Sequence, residues 1–237
     1  MTMGKTLLFL RLEGPMQSWG LRSRWDTRDT GEEPSKSGVI GLLGAALGYG
    51  RGDPRLAELD GSLRLGVRVE QSGSRAVDFQ TVTGKLPTAD GGAKGSRDDP
   101  STIVSPREYL QDAAFLVVLD GPEETLRRCE RALRNPRWPI YLGRKGCPPA
   151  RPVLEGTSER YVDIEDALRH HPWDWEGREV LRETPQELRC SLEDATGNAS
   201  RPDSIRPGRA RMYGRRQVRV FAVSSPETQP QDPARGG

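Results

Sequence analysis

Only two imidazoles are available to the chain, His170 and His171, adjacent and followed by Pro172. A histidine base with a tyrosine or lysine partner can cleave RNA through the 2′-hydroxyl, and Tyr161 and Lys145 are the partners that could be recruited. Neither histidine stands in a triad or a metal-ligand spacing, and no paired-carboxylate motif or G-x-S-x-G elbow occurs. The competing reading is a pair that closes a helix beside its dipole. Cys129, Cys147 and Cys190 lie far apart, form no C-x-x-C pair and are odd in number, so they read as buried thiols of a reducing compartment, not as a zinc site.

Phosphate chemistry has three candidate positions. Gly31 to Ser37 (GEEPSKS) has the look of a P-loop but lacks the second glycine and is one residue short, which argues against an NTPase. What remains is a helix start with free N–H groups, the hydroxyls of Ser35 and Ser37 and the Lys36 ammonium: a phosphate site, or a plain N-cap. Gly143-Arg144-Lys145-Gly146 is a short basic turn that could wrap a phosphate. Arg201 to Arg219 holds seven arginines against the single acid Asp203, with Tyr213 interleaved, and reads as a basic patch or a solvated face. The net charge is only +2, so a nucleic-acid site must come from where the charges sit.

These groups need a scaffold, and 237 residues are enough for one without disulfide staples. Lys5 to Leu12 reads as a strand with Leu8, Leu10 and Leu12 on one face, ending at Gly14-Pro15. A helix follows over roughly Lys36 to Leu47; its Gly38, Gly41, Gly44 and Gly48 share one face, either for close approach of a backbone, strand or ligand or for tight packing on the sheet. Leu63 to Gln71 and Ala113 to Leu119 read as strands, and Pro122 to Asn135 as a helix with acids first and bases last. Pro139 to Leu142 reads as a fourth strand. Between the second and third strands, Gly84 to Pro106 is too polar for core and too long for a common hairpin loop, so an arm is expected there. The order strand, helix, strand, arm, strand, helix, strand is that of an α+β, ferredoxin-like (RRM-like) domain. Beyond it come a helix at Ile164 to His170, a tryptophan-bearing loop (HHPWDWEG), and strands near Glu187 to Leu192 and Gln217 to Val223. The expected organisation is a domain over 1–155 with its arm at about 81–108, a small β-rich unit over 156–223 and a disordered tail over 224–237. No run nears the roughly 18 apolar residues of a membrane helix, no signal-peptide pattern follows Met1 to Gly4, and the expectation is a soluble, cytoplasmic protein without a cofactor or metal.

Three stretches together are more specific than any one alone: LRLEGPMQSWG (Leu10 to Gly20), TRDTGEEPSKSGVIGLLGAALG (Thr27 to Gly48) and YLGRKGCP (Tyr141 to Pro148), joined by REYL before DAAFLVVL. They resemble the CasD family, the fifth Cas protein of type I-E CRISPR systems and a member of the repeat-associated (RAMP) superfamily, over roughly the first 155 residues. The resemblance implies a RAMP palm with an arm called the thumb, and a non-catalytic subunit of the Cascade complex. That subunit would grip the 5′ handle of the CRISPR RNA, contact the backbone and large subunits, and meet target DNA through the assembled complex. It places Gln17 and Trp19 in GPMQ-x-WG, Arg28 in TR-x-T, and Ser35, Lys36 and Ser37 at the first helix. Tyr141, Arg144 and Lys145 fall in YLGRK, and Lys85, Lys94, Arg97 and Arg107 on the thumb. Phosphates are expected at the Lys36 helix start and the Arg144-Lys145 turn, and a base on Trp19 unless that indole is buried. A relative in type I-C systems cuts its own repeat RNA, so a metal-independent endoribonuclease is the alternative.

Overall fold

The computed structural model of the protein describes residues 4–21, 28–88, 91–172, 185–206 and 213–226. β1 (Leu7–Glu13) is followed by the two-residue β2 (Met16–Gln17) and by α1 (Lys36–Leu47). α1 starts where Ser35 Oγ accepts from the Gly38 N–H at 3.3 Å, and stops at Gly48, whose φ of 76° is left-handed and suits glycine. α2 (Pro54–Ser62) was not expected, although Asp53-Pro54 is a helix-start signal; the Asp53 carboxylate accepts from the Arg55 N–H at 3.0 Å. Next come β3 (Arg64–Gln71), β4 (Ser74–Gly84), the short β5 (Leu86–Pro87) and β6 (Ala93–Lys94), β7 (Ser101–Gln111), β8 (Ala114–Asp120) and α3 (Glu123–Arg134). β9 (Leu154–Ser158), α4 (Ile164–His170), β10 (Glu187–Glu193), β11 (Ala199–Ile205) and β12 (Tyr213–Ser224) complete the described elements.

Seven strands make one antiparallel sheet in the order β11-β12-β10-β3-β8-β1-β9. Strand periodicity sorts the side chains. Leu8, Leu10, Leu65, Val67, Phe115 and Val117 face α1 and α3, where Val39, Ile40, Leu43, Leu126 and Cys129 meet them. Leu7, Phe9, Leu116 and Val118 point the other way, against Ile164, Ala167 and Leu168 of α4. β8 is therefore covered on both sides, which is why it reads as a continuous apolar run and not as an alternation. Part of the glycine face of α1 is filled by the chain itself: a Cβ at Gly38 would lie 2.8 Å from the Trp19 ring, and one at Gly44 would strike Leu56. Packing is tight at those two positions, against side chains and not against the sheet as expected, while Gly41 faces open space.

Three expectations need correction. Pro139 to Leu142 is not a strand; the Arg137 and Trp138 N–H groups instead donate to the Ala46 and Ala45 carbonyls at the end of α1. With those donors spent and Pro139 offering none, the place beside β1 goes to β9, twelve residues later than Leu142. The C-terminal strands do not form a sheet of their own, because β10 pairs with β3 and continues the main sheet. Asp60 of α2 fixes that extension by accepting from Ser204 Oγ at 2.7 Å and from the Ile205 N–H at 3.1 Å. The arm is a hairpin of β4 and β7 that starts nearer the sheet, at Ser74, so the expected 81–108 leaves out the first half of β4 and the end of β7. The loop after His171 and the tail were also read from sequence; residues 173–184 and 227–237 lie outside the described ones.

The α4 face of the sheet buries charge. Arg11 and Arg68 both pair with Glu70, and all three are at most 1 % exposed. Arg68 Nη1 also donates to the Leu168 and His171 carbonyls at 2.9 and 2.8 Å, so one guanidinium holds the end of α4 against β3. Arg11 reaches Glu155 of β9 at 3.3 Å, and Glu155 in turn takes His171 Nε2 at 2.7 Å. Two outcomes are expected. Glu70→Ala leaves two buried guanidinium groups unpaired and should lower the unfolding free energy in a urea titration by about 3 to 5 kcal/mol. Burial alone would raise the Glu155 carboxyl, but the His171 hydrogen bond and the Arg11 charge outweigh it and hold it down at about 2, against an ordinary 4.5. Its contribution to stability is therefore complete above pH 4.5 and lost as pH falls from there towards 2. Glu155→Gln should flatten the acid limb of a stability against pH profile in that window.

Candidate nucleic-acid interface

The expected phosphate site at the start of α1 is occupied from within. The Lys36 N–H donates to Asp203 Oδ2 at 2.8 Å, so the anion at this helix N-terminus is a carboxylate of β11. Lys36 is 3 % exposed; its Nζ lies 2.9 Å from Glu193 and 3.7 Å from Asp60. Ser35 serves as the cap and is buried, and Ser37 is half-buried in the first turn. The physics read from the sequence is right and its ligand is not. A helix start with a lysine does gather anions, but three acids of the chain, remote in sequence, have taken the places of a phosphate.

Gln17 and Trp19 are likewise structural. Gln17 is fully buried and donates to the Ala113 carbonyl at 2.7 Å, while its Oε1 accepts from the Trp19 indole N–H at 3.0 Å. Trp19 is 1 % exposed and packs on Gly38, so it offers no face to a base. The basic run at 201–219 is also largely spent. Arg201 pairs with Glu33, Arg216 with Asp203, and Arg219 with Glu165 and Asp194. Arg206 and Arg215 are exposed, and 207–212 lie outside the described residues.

What the fold does bring together is the base of the arm. Residue 28 forms a parallel bridge with Arg107: the Arg28 N–H donates to the Pro106 carbonyl at 3.0 Å, and the Glu108 N–H donates to the Arg28 carbonyl at 2.8 Å. Arg144 ties this junction from the third motif. Its Nη1 donates to the Glu108 carbonyl at 2.9 Å, its Nη2 to the Arg28 carbonyl at 2.8 Å, and its guanidinium lies 4.6 Å from the centre of the Tyr109 ring. Carbonyl acceptors leave the charge uncancelled, and a guanidinium has five donors, so Arg144 both positions the junction and keeps it positive. The turn that carries it is tight. Gly143 has φ of 93° and sits against the Ser18 carbonyl, where no Cβ fits, while Leu142 accepts from the Ser18 N–H at 3.0 Å.

Arg107 shares its face of β7 with Tyr109, beside the Arg144 guanidinium, and its buried Nε has no hydrogen-bond partner among the described residues. Lys145 is exposed on the turn and Tyr141 half-buried before it. Lys85, Lys94 and Arg97 are exposed at the outer end of the arm, and among the described residues none of the three pairs with a carboxylate. Sequence reasoning missed Tyr109, the ring under Arg144; its place in REYL, two residues from Arg107, was the available signal.

The histidines are accounted for inside the chain. His171 stacks on Phe9 with centroids 4.6 Å apart, and its Nδ1 lies 3.1 Å from the Tyr161 hydroxyl. Tyr161 O–H donating to Nδ1 and Nε2–H donating to Glu155 satisfy both ring nitrogens. His170 Nδ1 lies 2.7 Å from Asp166, one turn earlier. The three thiols are buried, and burial pushes Cys129 up to about 11 and Cys190 to about 12. Among the described residues no helix is long and apolar enough to cross a membrane.

Known proteins carry the same architecture. A family model described as CRISPR-associated protein (Cas_Cas5) matches residues 7–220. The Escherichia coli (strain K12) protein described as "CRISPR system Cascade subunit CasD" is 37% identical over 180 residues, which cover 71% of this chain and 78% of that protein. A solved structure described as "Crystal structure of Cas protein" superposes with a TM-score of 0.71 at 37% identity, covering 94% of this chain and 100% of the other. A chain of a "CRISPR RNA-guided surveillance complex" gives a TM-score of 0.74 at 34% identity, over 97% and 95%. A match across nearly the whole described sheet, with its two helical layers and the arm, settles the family: this chain belongs to the CRISPR-associated Cas5 proteins and is a relative of the Cascade subunit CasD.

Proposed function

We propose that the chain is the CasD-type subunit of a type I-E Cascade complex, in which it holds the 5′ handle of the CRISPR RNA at the base of its arm and does not cut it. The observation that carries this reading is the meeting of Arg28, Arg107, Arg144 and Lys145, which come from three separate motifs and share one junction. Arg144, its side chain held by carbonyls, presents charge and spare donors to phosphates without the cost of ordering a free side chain. Strand order β9-β1-β8-β3 with α1 and α3 on one face supports a ferredoxin-like palm, and the β4–β7 hairpin supports its thumb. Lys85, Lys94 and Arg97 would give RNA a second, separate contact at the outer end of the thumb, with Tyr141 beside the turn at its base. The backbone and large subunits would be its protein neighbours, and target DNA would be met only through the assembled particle. A non-catalytic role is favoured by His171, whose ring nitrogens are both engaged and whose ring is stacked in the second core.

Binding of a labelled handle RNA to the purified chain, followed by anisotropy over a salt series, tests the site. Arg107→Glu with Lys145→Glu should weaken binding at least about tenfold and make the plot of log affinity against log salt shallower, by roughly 0.7 for each phosphate no longer neutralised. Lys36→Ala, which breaks a buried ion pair, should lower stability by about 3 to 5 kcal/mol and leave that slope unchanged. The reverse pattern would return the phosphate site to the α1 start. Repeat RNA incubated with the chain in chelator should stay intact; a product with a 2′,3′-cyclic end that disappears in His171→Ala would establish the endoribonuclease instead.

A further inference from the structure

The arm has an apolar surface that phosphate contacts do not explain. Among the described residues, five of the eight exposed large hydrophobic side chains belong to it. Phe79, Val77 and Val104, at 68 %, 53 % and 56 % exposure, share one face of the β4–β7 ribbon, because Phe79 stands opposite Pro106 and Thr81 opposite Val104. Val82 and Ile103 lie together on the other face. From Val77 to Gly84 and from Ser101 to Pro106 the only charge is Asp78, so this stretch lacks the cations a phosphodiester chain would need. The basic residues sit at the two ends of the arm and leave its middle to something else.

The backbone says what that is. Among the described residues β4 is the outer strand of the sheet β2-β7-β4, and its eleven residues pair with β7 on one side only. Exposed edge strands are ordinarily blunted by proline, lysine or a bulge. β4 has no proline or lysine, and its register with β7 runs unbroken from Ser74 to Gly84. We infer that the free chain pairs edge to edge with a second copy of itself through β4, antiparallel about a two-fold axis at Phe79.

That register suits the side chains. It sets Phe79 against Phe79 of the second copy, Val77 against Thr81 and Ala76 against Val82. Asp78 faces Gln80, whose amide already donates to Asp78 Oδ2 at 2.9 Å within one chain, and Arg75 faces Thr83. Apolar meets apolar or threonine, and no like charges oppose. Side chains alternate between faces, so a two-fold normal to the sheet must pass through a residue. On Asp78 it would set two carboxylates face to face, and on Gln80 it would press Asp78 on Val82. The product is a four-stranded sheet, β7-β4-β4-β7, in place of a two-stranded ribbon of marginal stability. The inference does not depend on the RNA reading, and a chain so paired would have to part before any assembly partner covers the same stripe.

The full-length chain, alone, decides it. Sedimentation over a concentration series should show a dimer for the native protein and a monomer for Phe79→Lys with an unchanged circular dichroism spectrum. A cysteine trap reads the register, since the native thiols are buried. Under mild oxidation Phe79→Cys should give a covalent dimer, because residues at the axis have Cα atoms about 4.5 to 5.5 Å apart. Val77→Cys should not, since the two copies of residue 77 are four positions apart in this register, ~13 Å, beyond the reach of a disulfide. Several results would overturn the inference: a native protein that is monomeric at every concentration, a Phe79→Lys dimer, or Val77→Cys crosslinking as readily as Phe79→Cys. Protection of β4 amides that arises only when handle RNA or another protein is added would overturn it too.

Discussion

Burial of one sheet on both faces is the constraint from which the other features of this protein follow. β8 and its neighbours β1 and β3 are pressed between α1 and α3 on one side and α4 on the other, so all but their end residues are cut off from water. Any polar group there must find its partner inside. Arg11, Arg68 and Glu70 do so, and through Glu155 and His171 they bind the edge strand β9 and the end of α4 to the middle of the sheet. Such a network adds little net stability over apolar packing, but it punishes a misplaced strand or helix severely, because each error strands a buried charge.

The same economy governs the start of α1. A helix N-terminus with a lysine attracts anions whatever their source. Here Asp203, Glu193 and Asp60 converge on it from β11, β10 and α2, and the attraction is used to lock the C-terminal strands onto the palm. The junction at the base of the arm has the opposite character. Arg144 is held by main-chain carbonyls, which fix its geometry and leave its charge standing, and Arg28, Arg107 and Lys145 are set around it. At one site the cation is paired with carboxylates, and at the other the Arg144 guanidinium is held by carbonyls. That difference, more than the number of basic residues, separates a structural cluster from an interface.

The arm shows a third treatment of surface. Its ends carry cations, while its middle carries Val77, Phe79 and Val104 on an unpaired edge. A ribbon of this kind is incomplete as a soluble element, and its chemistry asks for another strand.

Local information determined much of this protein. The limits of α1 and α3 were legible because capping residues, glycine and helical spacing act within a few positions. The strands at 64–71 and 114–120 were legible from apolar pattern alone, and the family from three short motifs. Tertiary structure decided the rest, for reasons no local pattern carries. Whether Pro139 to Leu142 pairs as a strand depends on the carbonyls at the end of α1 that claim its neighbours' N–H groups. Whether Lys36 meets a phosphate depends on carboxylates at positions 60, 193 and 203, and whether Trp19 meets a base depends on the glycine it covers. Sequence names the residues able to bind an anion; only the packed chain decides which of them are already satisfied, because satisfaction is a matter of distance between segments far apart along the backbone.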